Sequence, residues 1–121
     1  RGACIGRFAG RLSGGVLNID GQQYPISNQN GVTLHGGARG FGNRNWEIVS
    51  VDQEVNKPEI RLIYNSKHLE EGFPGNMEAR VTYRLEENTL RIRHEARTDR
   101  PTVVNLTNHA YFNLAGHVCN K

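Results

Sequence analysis

The chain has 121 residues, 36% hydrophobic and 22% charged, with 15 Lys or Arg against 12 Asp or Glu and a mean hydropathy of -0.62. That length suits one domain or part of one, and no run approaches the roughly 20 apolar residues of a membrane span, so no membrane partner is expected. The net charge of +3 is scattered along the chain, which argues against a nucleic-acid surface.

Apolar residues recur at a period of two, the spacing of strands with one buried face. Val16–Ile19 and Gln22–Ile26 flank Asp20-Gly21, a strong signal for a type I′ hairpin turn. Trp46–Val51 and Glu59–Tyr64 read as two further strands. Met77, Ala79, Val81, Tyr83 and Leu85 then alternate with Glu78, Arg80, Thr82 and Arg84. Leu90, Ile92, His94 and Ala96 alternate with Arg91, Arg93, Glu95 and Arg97 in the same way, which gives a solvated charged face and a packed His94. Glu86-Glu87-Asn88-Thr89 between them reads as a hairpin loop. Thr102–Leu106 is predicted as a last strand. No window has a helical period, so the fold class is all-β, with roughly seven short strands joined by hairpins and loops. An antiparallel sheet with one charged and one apolar face must cover the apolar face with a second sheet. A sandwich follows, and 121 residues leave little room for a large two-sheet core. The chain opens on Arg1-Gly2-Ala3-Cys4-Ile5 with neither Met nor apolar leader and stops abruptly at His117-Val118-Cys119-Asn120-Lys121. A piece of a longer domain is expected.

Three segments interrupt the strand pattern. In Ile5-Gly6-Arg7-Phe8-Ala9-Gly10-Arg11-Leu12, two arginines sit among apolar and small residues. Arg11 is either a surface arginine or a fixed fork of hydrogen-bond donors. In Thr33-Leu34-His35-Gly36-Gly37-Ala38-Arg39-Gly40-Phe41-Gly42, a histidine precedes a cluster of glycines that permit close backbone approach. This is a plain turn or a binding loop, and it lacks the Lys-Ser/Thr ending of a phosphate loop. Asn105-Leu106-Thr107-Asn108-His109-Ala110-Tyr111-Phe112-Asn113-Leu114 places three Asn, one His and one Tyr among strand-forming residues. An unsatisfied buried polar group costs about 1–3 kcal/mol. The stretch therefore builds an internal network or holds a polar ligand, and His109 is its one side chain suited to proton transfer near neutral pH. The five histidines show no HxH or HExxH spacing, so no metal is expected. His68 and His117 lie in loop-like surroundings. Glu70 and Glu71 are adjacent, and adjacent strand residues point apart, so they do not make a two-carboxylate hydrolase pair. Cys4 and Cys119 fit no CxxC motif; two buried or free thiols in a reduced compartment are the plain reading, with a single disulfide as the alternative.

Taken in order, these segments resemble the aldose 1-epimerase (galactose mutarotase) family. The match runs through Gly6-Arg7-Phe8-Ala9-Gly10-Arg11-Leu12, Leu34-His35-Gly36-Gly37 with Gly40-Phe41 and Trp46, Glu70-Glu71-Gly72-Phe73-Pro74-Gly75, and Pro101-Thr102 onward to Ala115-Gly116. The resemblance implies a large antiparallel β-sandwich, the family's supersandwich, with residues 1–121 as an incomplete portion of its domain. It implies interconversion of the α and β anomers of a free aldohexose such as galactose or glucose, without metal or organic cofactor. It implies that His109 is the general acid toward the ring oxygen, that His35 and Arg11 bind the sugar, and that Gly10, Ala110 and Tyr111 line its site. The family often has Asn where this chain has Gly10, and Asp-Gly where it has His68-Leu69. The family's general base is a Glu near the end of a chain two to three times this length. None of Glu70, Glu71, Glu86, Glu87 or Glu95 sits in a matching motif, so the remainder of the domain is expected to complete the fold and supply the base. A cytoplasmic setting accompanies the resemblance, with secretion left open.

Three rivals stand beside it. A hexose 6-phosphate epimerase would want basic residues at the sugar's 6-position, for which Arg39 and Arg44 are candidates. A non-catalytic carbohydrate-binding module would keep the pocket without the base. A structural β-domain would use the Asn and His residues only to satisfy one another.

Overall fold

A computed structural model describes residues 2–116. His117 and Cys119 lie outside that range. The described residues form ten strands and two 3-10 turns. The strands are β1 (Cys4–Ile5), β2 (Arg11–Ser13), β3 (Val16–Ile19), β4 (Gln22–Pro25), β5 (Val32–Leu34), β6 (Glu47–Asp52), β7 (Glu59–Ser66), β8 (Met77–Glu86), β9 (Thr89–Thr98) and β10 (Thr107–Asn108). All strand pairs are antiparallel, in a four-stranded sheet ordered β6-β7-β8-β9 and three two-stranded ribbons, β1-β10, β2-β5 and β3-β4.

The long elements follow the alternation in the sequence. On β8, Met77, Ala79 and Val81 are buried while Arg80 is exposed. Opposite it, Arg91, Arg93, Glu95 and Arg97 of β9 face solvent, where Arg93 pairs with Glu95. Pairing of Glu86 with Thr89 leaves Glu87-Asn88 as a two-residue turn, tighter than the four-residue loop expected. Asp20 and Gly21 both have positive φ, at 50° and 77°, as a type I′ turn requires. His94 pairs across the strands with Val81, and burial lowers its pKa.

One expected strand is absent. Thr102–Leu106 is not a strand: it makes a single isolated parallel bridge, Phe8 to Asn105, and regular pairing begins only at Thr107. Its polar groups meet one short segment of backbone, not a continuous edge. The two- and three-residue strands β1, β2, β5 and β10 had no prediction, because so few residues cannot display a period.

The core has two centres. Leu17, Ile26 and Phe73 gather under the β3–β4 hairpin with Phe8, Leu12 and Val103. Phe41, Met77 and Ala79 gather on the four-stranded sheet with Trp46, Tyr64 and Leu106. The first segment of the chain runs between them, and its Gly6–Arg7 peptide is cis.

Cys4 is a buried free thiol in this segment, and burial pushes it up to about 11 from 9.0. The folded state thus holds that proton more tightly than the unfolded chain. The stability this represents is complete below pH 9 and is lost as pH climbs to 11. Thermal melts across this window are expected to show a falling Tm, with a shallower fall in Cys4→Ala. Tyr64, pushed to about 12 by burial and by its hydrogen bond to Glu70, extends the decline at higher pH. An identical slope in Cys4→Ala below pH 11 would remove Cys4 from this account.

Candidate active site

Residues 2–10 act as a rail between two histidine-bearing segments. On one side the rail holds the glycine-rich loop. The His35 N–H donates to the Gly10 carbonyl at 2.9 Å, and the Phe41 N–H donates to that of Gly6 at 3.1 Å. On the other side it holds the Asn-rich stretch. Asn105 N–H donates to Arg7 O at 2.9 Å, Ala9 N–H to Asn105 O at 2.8 Å, and His109 N–H to Ala3 O at 2.9 Å.

The outcome is a pair of imidazoles 74 residues apart in sequence whose ring centroids stand 5.1 Å apart, edge to face. His35 has φ of 51° and heads a turn in which Gly36 and Gly37 also have positive φ. Glycine at 36 is a packing requirement, because a Cβ there would overlap the Gly6 carbonyl. The His35 ring is also fixed from the rail: the Gly10 N–H donates to His35 Nδ1 at 3.1 Å. An accepting Nδ1 carries no proton, so the hydrogen of the neutral ring is on Nε2. His109 stacks at 5.1 Å from Tyr111, and among the described residues no hydrogen bond is made to its ring nitrogens. Both imidazoles and Tyr111 line an open cavity of about 370 Å³, floored by Gly2, Ala3, Gly37 and Gly40. That volume is within the usual range for a small-molecule site. No carboxylate lines it among the described residues, nor does any group of three His, Cys, Asp or Glu there suit a metal ion.

The Asn-rich stretch divides its labour. Asn105 Nδ2 donates to Ala9 O at 2.9 Å, and Asn108 donates to the Tyr83 hydroxyl at 3.1 Å while accepting from Ala110 N–H at 2.9 Å. These amides form the internal network and leave His109 at the cavity wall. Tyr111 is 75% exposed. Arg11 lies on β2 opposite Leu34, next to His35, with an exposed side chain that does not line the cavity. Arg44, a candidate phosphate reader, instead binds the Arg39 carbonyl at 2.9 Å and lies 3.8 Å from Glu70.

Arg7, to which the sequence assigns no role, is only 2% exposed. Its guanidinium donates to Ser66 Oγ at 3.0 Å and to the carbonyls of Ser66, Lys67, Phe73 and Pro74 at 3.1, 2.9, 3.4 and 2.8 Å. Burial lowers its pKa, opposed by the charge of nearby Glu70. Glu70 in turn accepts from Ser66 Oγ at 2.9 Å and Tyr64 OH at 2.7 Å. Glu71, its neighbour, accepts from Arg39 N–H at 2.8 Å in the histidine loop. No local pattern distinguishes Arg7 from Arg11, because both follow a Gly and precede an apolar residue.

An all-β antiparallel scaffold thus sets two neighbouring imidazoles in the wall of one open cavity of small-molecule size. The chain belongs to the aldose 1-epimerase family, whose model matches residues 1–121. It is 42% identical over 117 residues to the aldose 1-epimerase of Escherichia coli K12, covering 95% of this chain and 33% of the relative. It is 40% identical over 116 residues to the galactose mutarotase of Homo sapiens, covering 95% and 32%. Its fold matches the crystal structure of the GalM/aldose epimerase homologue from C. elegans with a TM-score of 0.83 at 37% identity, over 94% of this chain and 34% of that one. A galactose 1-epimerase from Lactobacillus acidophilus NCFM matches with a TM-score of 0.83 at 28% identity, over 92% and 33%. The chain thus spans about a third of the length of the curated relatives it matches.

Proposed function

We propose that the protein carrying this chain interconverts the α and β anomers of a free aldohexose by acid–base opening and closing of the ring. The observation that supports this best is the His35–His109 pair, 5.1 Å apart at the wall of one cavity. His109, whose ring nitrogens make no hydrogen bond among the described residues, is the general acid. It gives a proton to the ring oxygen as the C1–O5 bond breaks. His35, with Nδ1 held by the rail and Nε2–H directed away from it, donates a hydrogen bond to a sugar oxygen. Arg11, exposed on β2 outside the cavity lining, supplies further donors only to a sugar hydroxyl that extends beyond the wall toward that strand. Tyr111 lines the cavity beside the two histidines, whereas Gly10 and Ala110 stand outside its lining: Gly10 acts through the backbone and ring of His35, and the Ala110 N–H is held by Asn108 Oδ1. General acid–base catalysis of this kind contributes about 10²–10⁴-fold.

A base must take the C1 hydroxyl proton from the opposite side, and we assign that role to a Glu outside these 121 residues. Residues 1–121 are thus an incomplete portion of a sandwich domain whose remainder completes the site. Neither a metal nor an organic cofactor is needed, since both proton transfers are side-chain chemistry. No nucleic acid partner is proposed, because the arginines of the charged sheet face are largely paired with Glu59, Glu78, Glu86 and Glu95. A buried free thiol at Cys4 favours the cytoplasm.

Polarimetry of freshly dissolved α-galactose or α-glucose tests the reading. The full-length protein is expected to accelerate mutarotation over buffer, and the isolated 121-residue chain is not. A full-length protein that binds the sugar without acceleration would favour the carbohydrate-binding rival.

A further inference from the structure

We infer that Arg7 is a positioning residue for the histidine pair, setting the height of the rail from which both His35 and His109 are held. The inference rests on the epimerase reading above. A guanidinium has five N–H donors, and the five hydrogen bonds of Arg7 occupy them all on one loop, Ser66–Pro74. No other side chain offers that fan. Lysine brings three donors on a point charge and cannot reach four carbonyls and a hydroxyl at once.

The main chain on either side of this anchor holds the site. Gly6 O receives Phe41 N–H, and Gly10 O and N–H hold the backbone and the ring of His35. Arg7 O receives Asn105 N–H, four residues before His109. The two imidazoles come from distant parts of the sequence and meet edge to face with no hydrogen bond between them among the described residues, so the rail that holds both backbones sets their separation. The same Ser66–Pro74 loop reaches the histidine loop a second way, through Glu71 and the Arg39 N–H. A shift of Arg7 relative to that loop therefore changes the spacing and tilt of the acid against the sugar-binding histidine. Misplacement by about 1 Å can cost roughly 10²-fold in rate.

The test compares Arg7→Lys with Val81→Ala in the full-length protein. Val81 is a buried core residue of β8 outside the histidine cavity, and its truncation lowers stability without touching the rail. Arg7→Lys is expected to lower kcat about 10²-fold with KM within about threefold. The side-chain 15N resonances of His35 should move as the Gly10 bond to Nδ1 is lost. Val81→Ala should leave both readouts near wild type. The proposal falls if folded Arg7→Lys keeps its kcat and its imidazole resonances, or if Val81→Ala lowers kcat as much. Should Arg7→Lys not fold, Ser66→Ala removes one of the five bonds and should lower kcat about threefold with shifted His35 resonances; unmoved resonances there overturn the inference. If the wild-type protein does not mutarotate, the epimerase reading fails on its own, and the resonances alone decide the role of Arg7.

Discussion

His109→Asn in the full-length protein is expected to lower the mutarotation kcat by about 10²–10⁴-fold while KM stays within about threefold. Asparagine preserves a polar side chain and a donor, so sugar affinity contributed by the cavity wall survives. It cannot deliver a proton as the ring oxygen leaves C1. The backbone at 109 is fixed by its N–H to Ala3 O and by Gly2 N–H to its carbonyl, and neither contact depends on the side chain. The substitution is thus local, and circular dichroism should not change. Initial-rate polarimetry across substrate concentration separates kcat from KM. A binding module would show no turnover in either form and similar affinity by calorimetry. An epimerase in which His109 only binds would show a raised KM and a preserved kcat, and that outcome would remove the acid from residue 109.

Phe41→Ala should be the most damaging core truncation, at about 3–5 kcal/mol. Phe41 is 1% exposed and meets Trp46 and Tyr64 edge-on, with ring centroids at 5.8 and 5.2 Å. Its main chain closes the glycine-rich loop, since its N–H reaches Gly6 O and its carbonyl accepts from Trp46 Nε1. The ring also lies against Gly6, where a Cβ would collide with it. Removing it opens a cavity at the junction of the sheet and the rail. Since small domains are stable by only about 5–15 kcal/mol, such a loss is a large share of the total. Urea unfolding should show a lower midpoint with an unchanged m-value. A loss below about 1 kcal/mol would mean that the site collapses around the gap.

Local pattern is a good guide to the burial of the two longest strands, though not of β6, whose six residues are all exposed. The ten-residue strands β8 and β9 show their more buried face through alternation, and Asp20-Gly21 encodes its turn through backbone sterics alone. The short ribbons were invisible for the opposite reason. Two residues such as Cys4–Ile5 pair because the rail is held in place from elsewhere, not through any preference of their own. Thr102–Leu106 shows the converse error. Its residues favour a strand, but its neighbour offers one bridge at Phe8, and tertiary context overrode propensity.

The candidate site divides along the same line. Its residue types, their order and the family they mark are written in the linear chain, and so is the chemical competence of each imidazole. Their meeting is not. His35 and His109 become neighbours only because the rail bonds to both. Arg7 and Arg11 are near twins in local sequence, yet one is buried with five acceptors and the other lies exposed on β2. The acceptors that separate them are carbonyls about sixty residues away, and side-chain composition says nothing about where a carbonyl will point. Local sterics and hydrophobic period act through neighbours in the chain and can be read from it. Burial and hydrogen-bond partners depend on distant backbone, and only folding decides them.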